Sequence, residues 1–268
     1  MKNKINLEKR IKRHVKAKPH DFFAIVTPNF ENTLLKELQD LQITDIKKIT
    51  KGGIEFTGNL NDCYRVNLFS RTLTRLIMRL FKFKVTNFKT LFKKVYNFPW
   101  ELYISNNVKI DFKIESKKSR LYHSEKIKEE IEKAIYKRLT EYNITLNNEN
   151  LSTQYIFIRL ENDRCQISLD TSGEVLYKRG FKKFVSIAPL RENIAASILL
   201  ESNIFEMDII FDPMAGSGTF SIEAYNIINS KISNFKKDFI FKKWTSFSEK
   251  TFNHIIKKYE QEKNIKIY

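Results

Sequence analysis

The sequence is poor in cysteine, and its two cysteines, Cys63 and Cys165, stand far apart without a CxxC pair. This excludes a disulfide scaffold and a sequence-visible zinc knuckle, and it favours a reducing compartment. Long apolar runs are also absent, because no stretch approaches the ~18 consecutive apolar residues of a membrane span. The amino-terminal segment is basic but has no apolar stretch behind it, unlike a signal peptide. We therefore expect a soluble, cytoplasmic protein with no membrane partner.

Histidine and acidic residues are scarce as well. The four histidines have no metal-ligand spacing, so no metal site is predicted: His14, His20, His123 and His254. The 31 acidic residues stand against 48 basic ones, which gives a net charge of +17 over 268 residues. Such a charge is typical of proteins that bind nucleic acid. The alternative explanation for this net charge is a general enrichment in lysine without any functional cause. Apolar residues make up 42% of the chain, which is enough to build a core.

Basic residues are concentrated at the amino terminus. Residues 1–20 contain eight lysines and arginines and a single acid, Glu8. This composition predicts a mobile basic arm, which serves either to neutralise phosphates or as a solvated tail.

The next segment has the pattern of an α+β module. A buried strand over 22–26 is followed by a helix from Glu31, with leucines at helical spacing. Residues 46–50 and 53–57 flank a Lys51-Gly52 turn, which predicts a hairpin. The order β-α-β-β belongs to α+β modules rather than to helical bundles.

A second basic region has no acidic residue between Cys63 and Trp100. Its arginines at 71, 75 and 79 repeat every four residues, whereas residues 82–85 alternate, so the sequence leaves open where helix gives way to strand. Four phenylalanines are interleaved with the cations: Phe81, Phe83, Phe88 and Phe92. The favoured interpretation is that they pack in the core, and the alternative is that they stack on bases.

Periodicity predicts further elements along the rest of the chain. Three strands are predicted, over 108–114, 155–160 and 165–169. A helix with Ser124 as its N-cap follows the first strand, and its apolar face consists of Ile127, Ile131, Ile135 and Leu139. A second helix is predicted to begin at Pro189, with Leu190, Ile194 and Ile198 on its buried stripe. Trp100 and Trp244 are expected to be packing anchors.

The chain has seven glycines, and two of them, Gly216 and Gly218, follow a predicted strand that ends at Asp212. A helix is predicted from Thr219 to Ile228. Glycines at such a turn let backbone N–H groups approach a ligand, and the helix N-terminus favours its anionic part. A triphosphate loop needs a lysine that is missing here, and the dinucleotide spacing needs a third glycine. Ser217 has no histidine partner for a nucleophilic role, and Glu223 on this helix is expected to be a surface carboxylate.

The octet D-P-M-A-G-S-G-T over 212–219 resembles the first motif of class I S-adenosylmethionine-dependent methyltransferases that modify exocyclic amines of bases. Segments 167–174, 176–181 and 188–196 resemble consecutive motifs of one family, and 119–123 with the 21–58 module resembles its RNA-binding half. That family is the THUMP-domain RNA guanine-N2 methyltransferases, in particular the bacterial 23S rRNA enzymes.

The resemblance implies an α+β RNA-binding region, ferredoxin-like plus THUMP, followed by the incomplete start of an α/β Rossmann-like methyltransferase domain. The expected ranges are a basic arm at 1–20, the RNA-binding region at 21–180 and the partial methyltransferase domain at 181–268. The implied cofactor is S-adenosyl-L-methionine and the implied partner is structured large-subunit rRNA. The cofactor residues carried over are Asp212, Pro213, Ala215, Gly216, Gly218, Thr219 and Arg191. The expected RNA contacts are Arg71, Arg75, Lys117, Lys118, Arg120 and Lys178.

One family motif is missing. The sequence has no Pro-Pro pair, so it lacks the Asn/Asp-Pro-Pro-Tyr motif that holds the target amine and stacks on the flipped base. Residues 265–268 resemble the beginning of the second strand of the catalytic sheet, where the cofactor ribose is bound. We therefore expect a truncated catalytic domain that is not active alone, completed by a second chain or by the rest of a longer protein. A non-enzymatic RNA-binding protein with a vestigial methyltransferase segment is the alternative, and a THUMP-bearing sulfurtransferase is disfavoured by the glycine loop.

Overall fold

The structure is a computed structural model, and it describes residues 2–106, 108–146, 152–181 and 189–264. The helices of these stretches are α1 (Lys2–Ile11), α2 (Glu31–Asp40), α3 (Leu60–Phe69), α4 (Phe88–Tyr96), α5 (Ser124–Thr140), α6 (Glu192–Glu201), α7 (Thr219–Ile228) and α8 (Glu249–Asn264). The strands are β1 (His20–Val26), β2 (Asp45–Thr50), β3 (Gly53–Gly58), β4 (Leu73–Lys84), β5 (Val108–Lys117), β6 (Ser152–Glu161) and β7 (Arg164–Asp170).

The chain packs into two compact units, each built from segments that are apart in the sequence. The first unit comprises Met1–Asp21, Ile77–Gly173 and Ile240–Phe247. The second unit comprises Phe22–Leu76, Glu174–Phe239 and Ser248–Tyr268. The linear domain boundaries expected from the sequence stay a prediction.

In the second unit the strands have the order β2-β3-β1-β4, where β4 contributes residues 73–76 and its remaining residues belong to the first unit. β2 and β3 form the predicted antiparallel hairpin, with Thr50 opposite Gly53, and Gly52 occupies the turn at a φ of +85° that glycine adopts without strain. Phe22 and Phe56 stack in the core at 5.3 Å between ring centroids, and Leu34 and Leu38 of α2 are fully buried. The predicted β-α-β-β order is confirmed.

The structure decides where helix gives way to strand in the basic region. α3 begins with a capping box at Asn59 and ends at Phe69, and Ser70 has extended backbone dihedrals that lead into β4. The arginines at 71, 75 and 79 therefore do not share a helix face, since Arg71 precedes β4, and Arg75 and Arg79 lie on it.

In the first unit the strands have the order β4-β7-β6-β5. β5 and β6 are parallel and α5 connects them, as a parallel pair requires. α5 buries the four predicted apolar positions, but its N-cap is His123, so Ser124 is the first helical residue and not the cap. Trp100 and Trp244 are buried, and the indole N–H of Trp244 donates to Gln154 at 2.7 Å, which confirms them as packing residues.

The amino-terminal segment is a helix and not the expected mobile arm. α1 continues into a π-helical turn over Lys12–Lys16, and Ile11 and Val15 are buried in the first unit. The prediction failed because these two apolar residues, four apart, supply an attachment face that the count of charges concealed.

The helix predicted from Pro189 begins at Glu192, and its buried stripe differs from the expected one. Ala196 and Leu199 of α6 pack with Ala224 and Ile227 of α7, whereas Ile198 is 38% exposed. α6 is apolar around much of its circumference, so periodicity could not identify the packed face, which is the one with small residues.

The predicted strand over 208–212 is not formed. Residues 207–215 are neither helix nor strand, and Ile209 and Phe211 are 83% and 85% exposed. Strand-forming residues need a neighbouring strand to take their backbone hydrogen bonds, and no described strand pairs with this segment. The strand start expected at 265–268 lies outside the described residues.

Candidate functional site

The glycine loop of the second unit leads directly into α7. Gly216 and Gly218 have φ of +53° and +70°, and Gly218 is the N-cap of the helix. The Gly218 amide donates to the Ala215 carbonyl at 2.7 Å, which closes the turn. Thr219 is buried at the first helical position, whereas Pro213, Ala215 and Gly216 are exposed. The loop thus presents backbone at a helix N-terminus, the arrangement that suits an anionic group.

Asp212 opens this loop. Its Oδ1 accepts a hydrogen bond from the Met214 amide at 3.1 Å, and its Oδ2 is buried without a partner among the described residues. A buried carboxylate oxygen without a partner calls for a donor from outside the loop. The carboxylate and the helix N-terminus together suit a ligand that carries both an amino group and an anionic group.

Arg191 does not reach this loop through any contact given by the structure. It is the N-cap residue of α6, it is exposed, and its guanidinium lies over the Tyr177 ring at 5.2 Å from the centroid. Its predicted cofactor role stays a prediction, and the observed contact is a cation–π pair.

A buried ion pair holds α7 from its inner face. The Nε of Arg179 donates to Glu223 at 2.8 Å, and both side chains are 1% exposed. Arg179 also donates to the Ser233 hydroxyl, to Asn234 at 3.2 Å and to the Arg71 carbonyl at 2.6 Å. The expectation of a surface carboxylate at Glu223 is therefore wrong. Glu223 lies four residues after Thr219 on the buried stripe of α7, a spacing that could have revealed its position.

Arg71 belongs to the same buried region and is not on the surface as its predicted RNA contact requires. Its Nη2 donates to the Asn226 carbonyl at 3.0 Å and to the Lys231 carbonyl, and the residue is 9% exposed. Burial lowers the pKa of Arg71, and the nearby Arg179 lowers it further. Burial raises the pKa of Glu223, while attraction to Arg179 and Arg71 opposes that rise.

Three of the predicted RNA contacts lie close together in the first unit, at and after the end of β5. Lys117, Lys118 and Arg120 are exposed. Lys117 pairs with Glu115, and the amide of Arg120 donates to Asp163 at 2.8 Å while its side chain stays 75% exposed. A cavity of about 370 Å³ adjoins them, lined by Lys84, Val85, Thr86, Thr90, Arg120 and Asp163. Exposed cations beside a polar cavity suit phosphate groups.

The two other predicted RNA contacts lie in the second unit. Arg75 is half-buried on β4, and Lys178 is exposed and pairs with Glu174 at 3.2 Å. Their RNA roles stay predictions. Across the described stretches, no three His, Cys, Asp or Glu side chains come together in a metal-binding group. In the part of the chain that the structure describes, no helix has both the length and the apolar character needed to cross a membrane.

Taken with the fold, this site defines a class of protein: basic α+β modules joined to a glycine-loop segment of the methyltransferase type. Comparison with known families agrees with this in three consecutive stretches. The RlmL ferredoxin-like domain matches residues 21–77, the THUMP domain matches 85–170, and the RMKL-like methyltransferase domain matches 179–268. Over these three stretches the chain is similar, in this order, to the domains of THUMP-containing methyltransferases of the RMKL-like type.

Individual relatives agree. The ribosomal RNA large subunit methyltransferase K/L of Buchnera aphidicola subsp. Schizaphis graminum is 33% identical over 245 residues, which are 88% of this chain and 34% of the relative. The K/L protein of Cellvibrio japonicus is 33% identical over 76% of this chain and 28% of its own length. Among solved structures, SMU.472, assigned as a methyltransferase and complexed with SAH, has a TM-score of 0.80 at 30% identity and is matched over 91% of this chain and 65% of its own. The chain thus spans about a third of the K/L relatives.

Proposed function

We propose that this chain is the RNA-binding portion, with the cofactor loop, of an S-adenosylmethionine-dependent rRNA methyltransferase that acts on the N2 amine of guanine. The observation that carries the proposal is the glycine loop at the start of α7, following Asp212 and preceded in sequence by ferredoxin-like and THUMP domains. The K/L relatives carry the name of ribosomal RNA large subunit methyltransferases, which supports rRNA as the substrate class.

The residues of the loop fit S-adenosylmethionine by their chemistry. The N-terminus of α7 suits a carboxylate, and the Asp212 carboxylate, with one oxygen unpartnered, suits an ammonium group, so the two ends match the methionine portion. Gly216 and Gly218 have no side chain to cover the loop backbone, and glycine adopts their positive φ without strain. When bound, this cofactor supplies a methyl group to the acceptor nitrogen, which loses a proton. The SAH in SMU.472 supports the choice of cofactor.

The RNA-binding role is carried by the exposed cations of the THUMP-matched region. Lys117, Lys118 and Arg120 position the RNA backbone rather than distinguish its sequence, since lysine and arginine contacts to phosphate carry no base information. Triple neutralisation of these residues is expected to weaken RNA binding and to reduce its salt dependence by about 2 in the log–log slope, at ~0.7 per contact. Unchanged affinity and slope would remove this cluster from the RNA surface.

We further propose that the chain does not transfer the methyl group alone. Transfer to an amine depends on positioning the acceptor and taking its proton, and the sequence has no Asn/Asp-Pro-Pro-Tyr motif for this. The comparisons give no support to a second chain as the source of that motif. The alternative is a non-enzymatic RNA-binding protein with a vestigial methyltransferase segment.

The test measures binding and transfer separately. Calorimetry with S-adenosylmethionine, filter binding with a large-subunit rRNA fragment, and transfer of a tritiated methyl group are performed on the purified chain. Cofactor and RNA binding without transfer is the expected result. Transfer by the chain alone would overturn the claim of inactivity, and RNA binding without any cofactor binding would favour the non-enzymatic alternative.

A further inference from the structure

The amino-terminal helix has no role in the sites described above, and no family match covers residues 1–20. It is nevertheless the densest basic segment of the chain. From residue 6 onward, where the side chains are described, the exposed cations on α1 and on the following π-helical turn are Lys9, Lys12, Arg13 and Lys16. Their spacing is i, i+3, i+4 and i+7, which puts them on one side of a helix.

The opposite side of this helix is attached to the first unit. Ile11 and Val15 are 6% and 0% exposed, and Nε2 of His20 and the Val15 carbonyl oxygen are 2.7 Å apart in a hydrogen bond. The row of cations is therefore held outward by packing of the apolar face, and it does not depend on a bound partner to become ordered.

A buried charge cluster fixes the same helix. Arg10 donates to Glu101 at 2.7 Å, and Arg138 of α5 donates to both oxygens of that carboxylate at 2.9 and 3.1 Å. The Glu101 side chain is 0% exposed. The guanidinium groups of Arg10 and Arg138 also lie over the Tyr142 ring, at 5.6 and 4.8 Å from its centroid. The charge of Glu101 is thus neutralised by Arg10 and Arg138, so it does not offset the positive charge of the exposed cations on the helix.

A cleft of about 680 Å³ adjoins the row. It is lined by Glu8, Ile11, Lys12, Lys16, Ala17 and Thr245. Lys12 and Lys16 supply its cationic wall, and Glu8 is the single acid among the lining residues. Such a wall favours an anionic polymer that passes along the helix.

We propose that Lys9, Lys12, Arg13 and Lys16 form a preformed RNA-backbone surface on the first unit, in addition to the THUMP-matched cations. The proposal rests on the proposed function, since RNA is the polyanion that the family acts on. The row is about 10 Å long, at ~1.5 Å per residue over seven residues, and its cations contact consecutive phosphates of a structured RNA. Because the helix is fixed, binding does not include the loss of conformational entropy that ordering a mobile arm entails.

The test compares two triple variants that lose the same charge. The first is Lys12→Gln, Arg13→Gln and Lys16→Gln. The matched control is Lys250→Gln, Lys257→Gln and Lys258→Gln, which removes three exposed cations of α8, outside the region expected to bind RNA. Both are titrated with a structured large-subunit rRNA fragment at several salt concentrations, and circular dichroism checks that each variant stays folded.

The helix variant is expected to lose affinity on the order of tenfold at ~0.1 M salt and to lower the log–log salt slope by about 2, at ~0.7 per contact. A charge-retaining double variant, Lys12→Arg and Lys16→Arg, is expected to bind as the wild type does. If the wild type binds RNA and the helix variant behaves as the control, the proposal is wrong while the proposed function stands. If the wild type does not bind RNA at all, the RNA-binding function itself fails.

Discussion

At the residue scale, two glycines with similar backbone conformations allow the effect of a substitution on stability to be distinguished from its effect on cofactor binding. Gly218 and Gly180 have φ of +70° and +77°, and a Cβ built on Gly180 meets nothing within 4 Å, while one on Gly218 only touches Ile222 at 4.0 Å. Substitution of either by alanine therefore costs the left-handed conformation alone, ~1 kcal/mol.

Gly218→Ala is expected to lose about 1 kcal/mol of unfolding free energy and to bind S-adenosylmethionine more weakly, because the loop backbone shifts at the start of α7. Gly180→Ala is expected to show the same loss of stability with unchanged binding. Urea denaturation and calorimetry measure the two quantities. Equal loss of cofactor affinity in both variants would show that the effect is general destabilisation.

The buried Glu223 provides a second prediction at this scale. Glu223→Gln leaves the Arg179 guanidinium, 1% exposed, without its counter-charge, so we expect a loss of about 3 kcal/mol in unfolding free energy. Glu129→Gln is the control, because it breaks the exposed Glu129–Lys133 pair and is expected to leave stability unchanged. Denaturant titration compares them, and similar small effects in both variants would show that the buried pair contributes little.

At the element scale, the amino-terminal helix is held in part by a hydrogen bond between His20, a titratable residue, and the Val15 carbonyl. Burial lowers the pKa of this imidazole, and Lys18 lowers it further, although Val15 and Asp21 act in the opposite direction. As the pH decreases, the unfolded chain therefore takes up a proton on His20 near the ordinary pKa of about 6.5, and the folded chain takes it up only at lower pH. The contribution of His20 to stability is therefore fully present above about pH 7 and falls as the pH decreases below about 6.5.

Thermal denaturation between pH 7.5 and 5.5 tests this dependence. His20→Gln is expected to lower the stability at pH 7.5 slightly and to flatten the profile, since it removes the titrating group. A variant whose profile keeps the wild-type slope would assign the pH dependence to another residue.

Elements also differ in how well the sequence identified them. The β2–β3 hairpin and α5 follow from local patterns, because turn residues and a four-residue apolar repeat specify them directly. The segment 208–212 has the same kind of apolar pattern and is no strand, because strand formation is decided by a pairing neighbour. The amino-terminal helix was missed since the charges dominated its composition and two apolar residues hold it.

At the scale of the whole molecule, amide protection from hydrogen exchange is expected to differ between segments that belong to the sheet and segments outside helices and strands. Amides over 207–215 are outside helices and strands, whereas those of β6 belong to a ladder with partners on both sides. Hydrogen exchange followed by mass spectrometry is expected to show rapid exchange in 207–215 and slow exchange in 152–161. Uniformly slow exchange in both segments would contradict the absence of a strand in the first.

The sequence by itself determined the order of the modules, the glycine loop and the resemblance to a family, because these are properties of residue types at fixed spacing along the chain. It determined the charge of the amino-terminal segment but not its conformation. Only the tertiary structure decided that Arg71 and Glu223 are buried and that Arg10 is paired with Glu101. Those outcomes depend on partners 44 to 160 residues away in the chain, such as Arg179 for Glu223, Glu101 for Arg10 and the Lys231 carbonyl for Arg71. Local patterns contain no information about such distant contacts, and the free energy of burial depends on them.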